Sequence, residues 1–186
     1  MSSHNETIRV KIIINIILVN LNWYLLLKLS SPWQAIAWLS LGLLLYLTLK
    51  WANRPRTDQA FILMATVWGC CIEYMFIHTS TLVYAIPRSL PPLFMIALWI
   101  NFACSFPWGL RWLLNIPKVG FLIGLIAGPL TYYGGSSISS ELTPNQEIKS
   151  LAILSITWAI SIYLLTHLYK HLNKIGNTHL CITNFI

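Results

Sequence analysis

The chain has 186 residues, of which 56% are apolar and 9% are charged, and its mean hydropathy of +0.66 lies well above that of soluble domains. This composition excludes a soluble globular protein. Twelve Lys and Arg against five Asp and Glu give a net charge of +7, but these charges lie between long apolar runs and form no continuous basic face, so nucleic-acid binding is not expected.

Six apolar stretches are long enough to cross a membrane as helices, since about 20 residues span about 30 Å of hydrocarbon. The first follows a polar N-terminal segment without a small-residue cleavage site, so we interpret it as a retained span. Ser31 and Pro32 are suited to cap and start the second. The predicted spans cover residues about 12–29, 32–49, 60–79, 91–114, 117–134 and 148–169. The chain is therefore predicted to be one all-α domain, residues 1–186, forming an integral membrane bundle of six transmembrane helices.

Two features interrupt this pattern. Pro107 lies inside the fourth predicted span, where it removes one backbone donor and is expected to kink the helix. Residues 135–146 are rich in Ser and Gly and are expected to form a polar loop before the last span.

The distribution of basic residues predicts the orientation, because cytoplasmic segments retain positive charge. The side of the two termini carries nine basic residues, namely Arg9, Lys11, Lys50, Arg54, Arg56, Arg111, Lys118, Lys170 and Lys174. The opposite side carries only Lys28, Arg88 and Lys149. We therefore expect both termini to be cytoplasmic.

The fifth predicted span contains a stripe of glycines, Gly120, Gly124 and Gly128, spaced four residues apart. Such a small-xxx-small pattern lets another backbone approach closely, so it predicts a helix-packing surface. The pattern does not distinguish packing within one chain from packing between two chains, and the oligomeric state stays open.

Glu73 is the only acidic residue inside a predicted span. It lies roughly 20 Å from the cytoplasmic edge, at about 1.5 Å per helical residue, so carrying a charge there is costly. We expect it to face the bundle interior and to be either protonated or paired. It is either a neutral acid bonded to a neighbouring helix, or a proton carrier or contact for a head group.

Polar residues on other spans fall at similar depths, among them Asn22, Asn101 and Tyr132. Asn15 and Asn22 are seven residues apart and share one helix face. Intramembrane amides usually bond between helices, for about 0.6 to 2 kcal/mol. Together with Glu73, however, these residues permit a polar cavity, so Glu73, Asn101, Tyr132 and Asn22 are the candidate ligand-binding residues.

Catalytic and metal motifs give little support to an enzyme. His167 and His171 are four residues apart, but two ligands do not make a metal site, and there is no HExxH motif. GxSxG, P-loop and GxGxxG motifs are also missing. No catalytic residue, metal or cofactor is therefore assigned.

Four segments carry a resemblance to a known family. These are the asparagine with Trp23 in the first span, the acidic residue late in the third, PLFMIALWINFACSFPWGLRW (92–112) and GPLTYYGG (128–135). The chain resembles a bacterial inner-membrane family, domain of unknown function 2878, although it carries Glu73 where aspartate is expected. The resemblance implies a bacterial cytoplasmic membrane and lipid-modifying enzymes as possible partners.

The function predicted from these observations is that of a non-enzymatic component that binds or moves a lipid-like or small amphiphilic molecule in envelope lipid metabolism. Glu73 and Asn101 would contact its polar end, and Tyr132 would line the route. Two alternatives remain: a membrane-embedded lipid-modifying enzyme using Glu73 as acid or base, and a scaffold that docks lipid enzymes through the glycine stripe.

Overall fold

The computed structural model describes the backbone of residues 2–28 and 33–183 and the side chains of residues 5–28 and 33–175. These residues form six α-helices, one short 3₁₀ helix and a two-stranded sheet, which confirms the all-α class. The proposed cap at Ser31 and Pro32 lies outside them. In chain order the elements are α1 (Ser2–Lys28), α2 (Trp33–Trp51), α3 (Pro55–His78), β1 (Leu82–Tyr84), α4 (Leu93–Ala103), the 3₁₀ helix (Arg111–Asn115), α5 (Pro117–Ile138), β2 (Leu142–Pro144) and α6 (Ile148–Thr183).

Four of the described helices, α1, α2, α3 and α6, are long and apolar enough to cross a membrane. Helix α5 is long enough, with 22 residues, but its glycines, Pro129 and its terminal serines make it less apolar. Helix α4 has only 11 residues. The fold is therefore that of an α-helical membrane protein, whereas the number of six crossings stays a prediction.

The fourth predicted span differs from the expected kinked helix. Helix α4 ends at Ala103, residues 104–110 form turns, and the 3₁₀ helix follows. Pro107 explains the end of the helix, because its nitrogen cannot donate to the carbonyl of Ala103 and its ring disfavours helical geometry in the preceding residue.

Asn15 of α1 supports the turn after α4. Its Nδ2 donates to the carbonyl of Cys104 at 3.0 Å, and its Oδ1 accepts from the backbone nitrogen of Gly109 at 3.2 Å. One side chain thus bonds both ends of an irregular segment, and unsatisfied backbone groups of such a segment are costly in a membrane. Asn15 is therefore a structural amide.

The predicted polar loop at 135–146 is partly structured. Helix α5 continues to Ile138, and β2 then pairs antiparallel with β1, with Val83 opposite Thr143. The backbone nitrogen of Ala85 also donates to the backbone carbonyl of Glu141 at 3.0 Å. The sheet joins two connections that are about 60 residues apart in the chain and holds Tyr84 at the end of the bundle.

The glycine stripe of α5 lies against α6 of the same chain. A β-carbon at Gly124 would lie 2.6 Å from the Cα of Ala159, and one at Gly128 would lie 2.4 Å from the Cβ of Trp158. At Gly120 the nearest atom, in Ile162, is 3.1 Å away. The question left open by the sequence is thus answered for these residues: the stripe packs two helices of one chain.

Candidate functional site

The candidate site is built around Glu73 of α3, whose side chain is 0% exposed. Its Oε1 accepts hydrogen bonds from the hydroxyl of Tyr132 and from Nε1 of Trp99, the latter at 3.2 Å. Its Oε2 accepts one from the hydroxyl of Tyr84 at 3.3 Å. Three donors from β1, α4 and α5 thus converge on one carboxyl group, as expected for a buried polar group that must be hydrogen-bonded.

Helix packing positions the Trp99 donor. The Trp99 ring lies directly over Gly69, which precedes Glu73 by one helical turn. On its other side the ring stacks on Trp158, with centroids 5.1 Å apart and planes 15° apart. Gly128 provides the space for Trp158, so glycines on α3 and α5 make room for the tryptophan pair beside Glu73.

The chemistry of the donors suits a carboxyl group in either protonation state. A tyrosine hydroxyl can donate or accept, whereas the indole nitrogen of Trp99 only donates. Tyr84 and Tyr132 can therefore bond to Glu73 whether or not it carries a proton. Among the residues that the structure describes, no basic side chain forms an ion pair with Glu73.

Tyr84 itself lies outside the helices. Burial raises the pKa of its hydroxyl, the nearby Glu73 raises that pKa further, and Arg88 lowers it. The guanidinium of Arg88 lies 5.2 Å from the Tyr84 ring centroid. Since the net effect is a raised pKa, Tyr84 keeps its proton at neutral pH and acts as a donor to Glu73.

A cavity of about 510 Å³ adjoins this cluster. Its walls are mainly aromatic and aliphatic, and its polar lining residues are Asn20, Glu73, Asn101, Thr131 and Tyr132. A mostly apolar pocket of about 300–1,000 Å³ with a few convergent polar groups is typical of a small-molecule site.

The cavity reaches the outer surface of the bundle. Some lining residues of α1, the 3₁₀ helix and α5 are also exposed at this surface. Asn20 is one of them, and the exposed fraction is 66% for Leu130 and 48% for Trp112. The cavity therefore connects the surroundings of Glu73 with the side of the bundle between α1 and α5.

The structure brings together three of the four candidate ligand-binding residues. Glu73, Asn101 and Tyr132 all line the cavity. The Nδ2 of Asn101 donates to the carbonyl of Val19 at 2.9 Å, while its Oδ1 is buried without a hydrogen-bond partner. Asn22 is 0% exposed and lies outside the cavity lining, and neither its Nδ2 nor its Oδ1 has a hydrogen-bond partner.

Sequence reasoning missed two of the donors to Glu73. Tyr84 lies in a predicted loop, and only the pairing of β1 with β2 holds it at Glu73. Trp99 was recognised as part of a family segment and not as a site residue. An aromatic residue in an apolar helix gives no sign of a role of its indole nitrogen, so a sequence signal was lacking.

Helix α3 carries a second acidic residue, outside the predicted span at 60–79. Helix α3 begins at Pro55, not near residue 60, and Asp58 lies within it. Pro55 starts the helix early because its fixed φ suits the first helical position. Asp58 is buried and accepts a hydrogen bond from the hydroxyl of Tyr169 at 2.9 Å.

Metal ligands do not gather in the part of the chain that the structure describes: no three His, Cys, Asp or Glu side chains there could hold one ion. His167 is exposed, and its Nδ1 lies 2.9 Å from the carbonyl of Tyr163 in the preceding helical turn.

The apolar helices and the enclosed polar cluster define the class of the protein as an α-helical membrane protein with a buried carboxyl site. A family model described as "Protein of unknown function (DUF2878)" matches residues 12–164, and the chain belongs to that family. The resemblance to domain of unknown function 2878 that the sequence motifs indicate is thereby confirmed. No curated protein and no solved structure matches the chain.

Proposed function

We propose that the protein binds or moves a small amphiphilic, lipid-like molecule in the cavity beside Glu73. The observation that carries this proposal is the combination of a mainly apolar cavity with a few polar groups on its wall. An aliphatic ligand segment packs against Trp99, Phe102 and Trp158, where dispersion contacts with these side chains replace its contacts with lipid tails.

The polar end of the ligand is assigned to Glu73 and Asn101. The Oδ1 of Asn101 is a buried acceptor without a partner, and leaving such a group unsatisfied costs about 1–3 kcal/mol. A ligand hydroxyl or amide that donates to it removes this cost. Tyr132, which donates to Glu73 and lines the cavity, lies on the route.

The route to the cavity supports a ligand that is dissolved in the membrane. Asn20 and Thr131 line the cavity from α1 and α5 and are exposed on the lateral surface of the bundle. A lipid-like molecule would enter sideways between these helices. The proposal includes a bacterial cytoplasmic membrane as the location, with both termini in the cytoplasm.

A cavity-filling variant tests the proposal. The full chain is purified in mild detergent, and co-purified lipids are extracted and quantified by mass spectrometry. Ala127→Phe fills the cavity from α5, leaves all three donors to Glu73 in the sequence and is expected to remove the bound molecule. Ala152→Phe adds the same side chain at an exposed position of α6 outside the cavity and is the matched control.

A second variant tests the polar contact. Glu73→Gln keeps the size of the side chain, replaces one acceptor oxygen by an amide donor and removes its acid function, and reduced retention of the same molecule is expected. Equal lipid content in the wild type, in Ala127→Phe and in Glu73→Gln would overturn the proposal.

An acid–base role of Glu73 in lipid modification is the second candidate. It is favoured by the two tyrosines, because their hydroxyls can follow a change in protonation of the carboxyl group. Lipid extracts distinguish the candidates. A lipid product that is present in cells with the wild-type protein and missing in cells with Glu73→Gln indicates an enzyme. If the cellular lipids are unchanged but the purified variant retains less lipid, the protein is a binding protein.

A further inference from the structure

A second cavity, of about 500 Å³, lies where the α2–α3 connection, the turn after α4 and the end of α6 meet. It shares no lining residue with the cavity beside Glu73. Four of its lining residues are basic and one is acidic, namely Arg54, Arg111, Lys170, Lys174 and Asp58. This cavity therefore has a strong excess of positive charge.

Hydrogen bonds between α3 and α6 hold two walls of this cavity together. Nη1 of Arg54 donates to the carbonyl of Asn173 at 2.7 Å, and the hydroxyl of Tyr169 donates to Asp58 at 2.9 Å. Arg54 and Asp58 lie one turn apart at the start of α3. The basic groups thus line a cavity whose walls are hydrogen-bonded to each other, with Arg54 half-buried and Arg111 and Lys170 exposed.

A tryptophan supplies an independent indication of a ligand. Trp108 lines the cavity and is 8% exposed, and its Nε1 is a buried donor without an acceptor. A buried donor without a partner costs about 1–3 kcal/mol. The Trp108 ring is held by an edge contact with Trp51 at 6.0 Å, so the indole is packed in place.

We propose that this second cavity binds a phosphate-type anion through Arg54, Arg111, Lys170 and the indole nitrogen of Trp108. Guanidinium groups match the paired oxygens of a phosphate, and the indole nitrogen donates to another of its oxygens. Charged hydrogen bonds of this kind are roughly twice as strong as neutral ones. The anion comes either from a phospholipid head group or from free phosphate in solution.

Equilibrium binding to the purified full chain tests this site. Three probes are titrated by calorimetry in neutral-detergent micelles: short-chain phosphatidylglycerol, short-chain phosphatidylcholine and inorganic phosphate. The double variant Arg111→Gln/Lys170→Gln removes two charges from the cavity. The control Arg56→Gln/Lys118→Gln removes two exposed charges that do not line it, so net charge is matched.

The cavity variant is expected to weaken anion binding by about tenfold or more, since a hydrogen bond to a charged group contributes about 1.5–3 kcal/mol. The control variant is expected to bind as the wild type does. Trp108→Phe, which keeps an aromatic side chain but removes the indole donor, is expected to weaken binding severalfold.

The three probes identify the source of the anion. Binding of phosphatidylglycerol, but not of phosphatidylcholine or phosphate, assigns a lipid head group, while binding of inorganic phosphate assigns a soluble anion. The proposal is overturned if no anion binds the wild type, or if both double variants weaken binding equally, because binding would then reflect net charge alone.

Discussion

Trp99 lies over Gly69 so closely that a β-carbon at residue 69 would be 2.0 Å from Cδ2 of the tryptophan. The two residues lie on neighbouring helices, α4 and α3, and Glu73 follows Gly69 by one turn. The missing side chain at residue 69 lets the indole lie flat against α3 and donate to Glu73 at 3.2 Å. The geometry of the buried carboxyl site thus depends on a glycine that contacts Trp99, one of the donors to Glu73.

Gly69→Ala is expected to displace Trp99 and to destabilise the protein. Overpacking a buried contact typically costs about 1–3 kcal/mol, which exceeds the gain of up to about 1 kcal/mol from helix propensity. Thermal unfolding of the purified full chain measures the effect.

Gly42→Ala is the matched control, because a β-carbon at Gly42 meets nothing within 4 Å. Its melting temperature should equal or exceed that of the wild type. Equal melting temperatures of Gly69→Ala and the wild type would contradict the role assigned to the Gly69–Trp99 contact.

Tyr132→Phe should destabilise the protein, because it removes a donor to a fully buried carboxyl group. A loss of about 1–3 kcal/mol is expected for such a group. Tyr133→Phe is the control on the adjacent residue, which is only half-buried. Chemical unfolding should separate the two variants, and similar midpoints would argue against the hydrogen bond to Glu73.

Gly124→Ala is expected to prevent tight packing of α5 on α6. Its β-carbon would lie 2.6 Å from the Cα of Ala159, and a backbone atom cannot move aside as a flexible side chain can. Gly134→Ala is the control, since its nearest neighbour, Trp23, is 3.7 Å away.

The two alanine variants are compared by the fraction of protein that elutes as a single species in gel filtration and by melting temperature. Gly124→Ala should lose most of the folded fraction, whereas Gly134→Ala should retain it. A fully folded Gly124→Ala protein would contradict the packing of the glycine stripe on α6.

The pairing of β1 with β2 predicts a specific disulfide. Val83 and Thr143 are opposed and exposed, so cysteines at both positions should cross-link on mild oxidation of a chain whose native cysteines are replaced by alanine. Val83→Cys with Gln146→Cys, three residues out of register, is the control. Non-reducing electrophoresis detects the altered migration, and equal cross-linking of both pairs would exclude the register.

Much of the fold follows from local sequence properties. Long apolar runs predict the helices, and the cost of an intramembrane charge predicts that Glu73 turns inward, as the structure shows. The end of α4 was harder to predict. Pro107 indicates an irregularity in the helix. Whether the helix kinks or ends there depends on distant partners such as Asn15, which forms hydrogen bonds with the turn after α4.

The candidate site was predicted only in part. Asn101 and Tyr132 could be selected because their depth along a helix is a matter of counting residues, and both line the cavity with Glu73. Depth does not determine direction around a helix, and Asn22 therefore lies outside the cavity although its depth is similar. The donors Tyr84 and Trp99 required knowledge of how the elements pack.

The amino-acid sequence by itself determined the helical membrane class, because hydropathy acts over single segments and needs no contact between them. The tertiary structure alone decided which groups meet: Tyr84 reaches Glu73 through a strand pairing about 60 residues apart in the chain, and Trp108 joins Arg54 and Lys170 around the second cavity. Such contacts depend on helix rotation and packing, which many distant side chains set together.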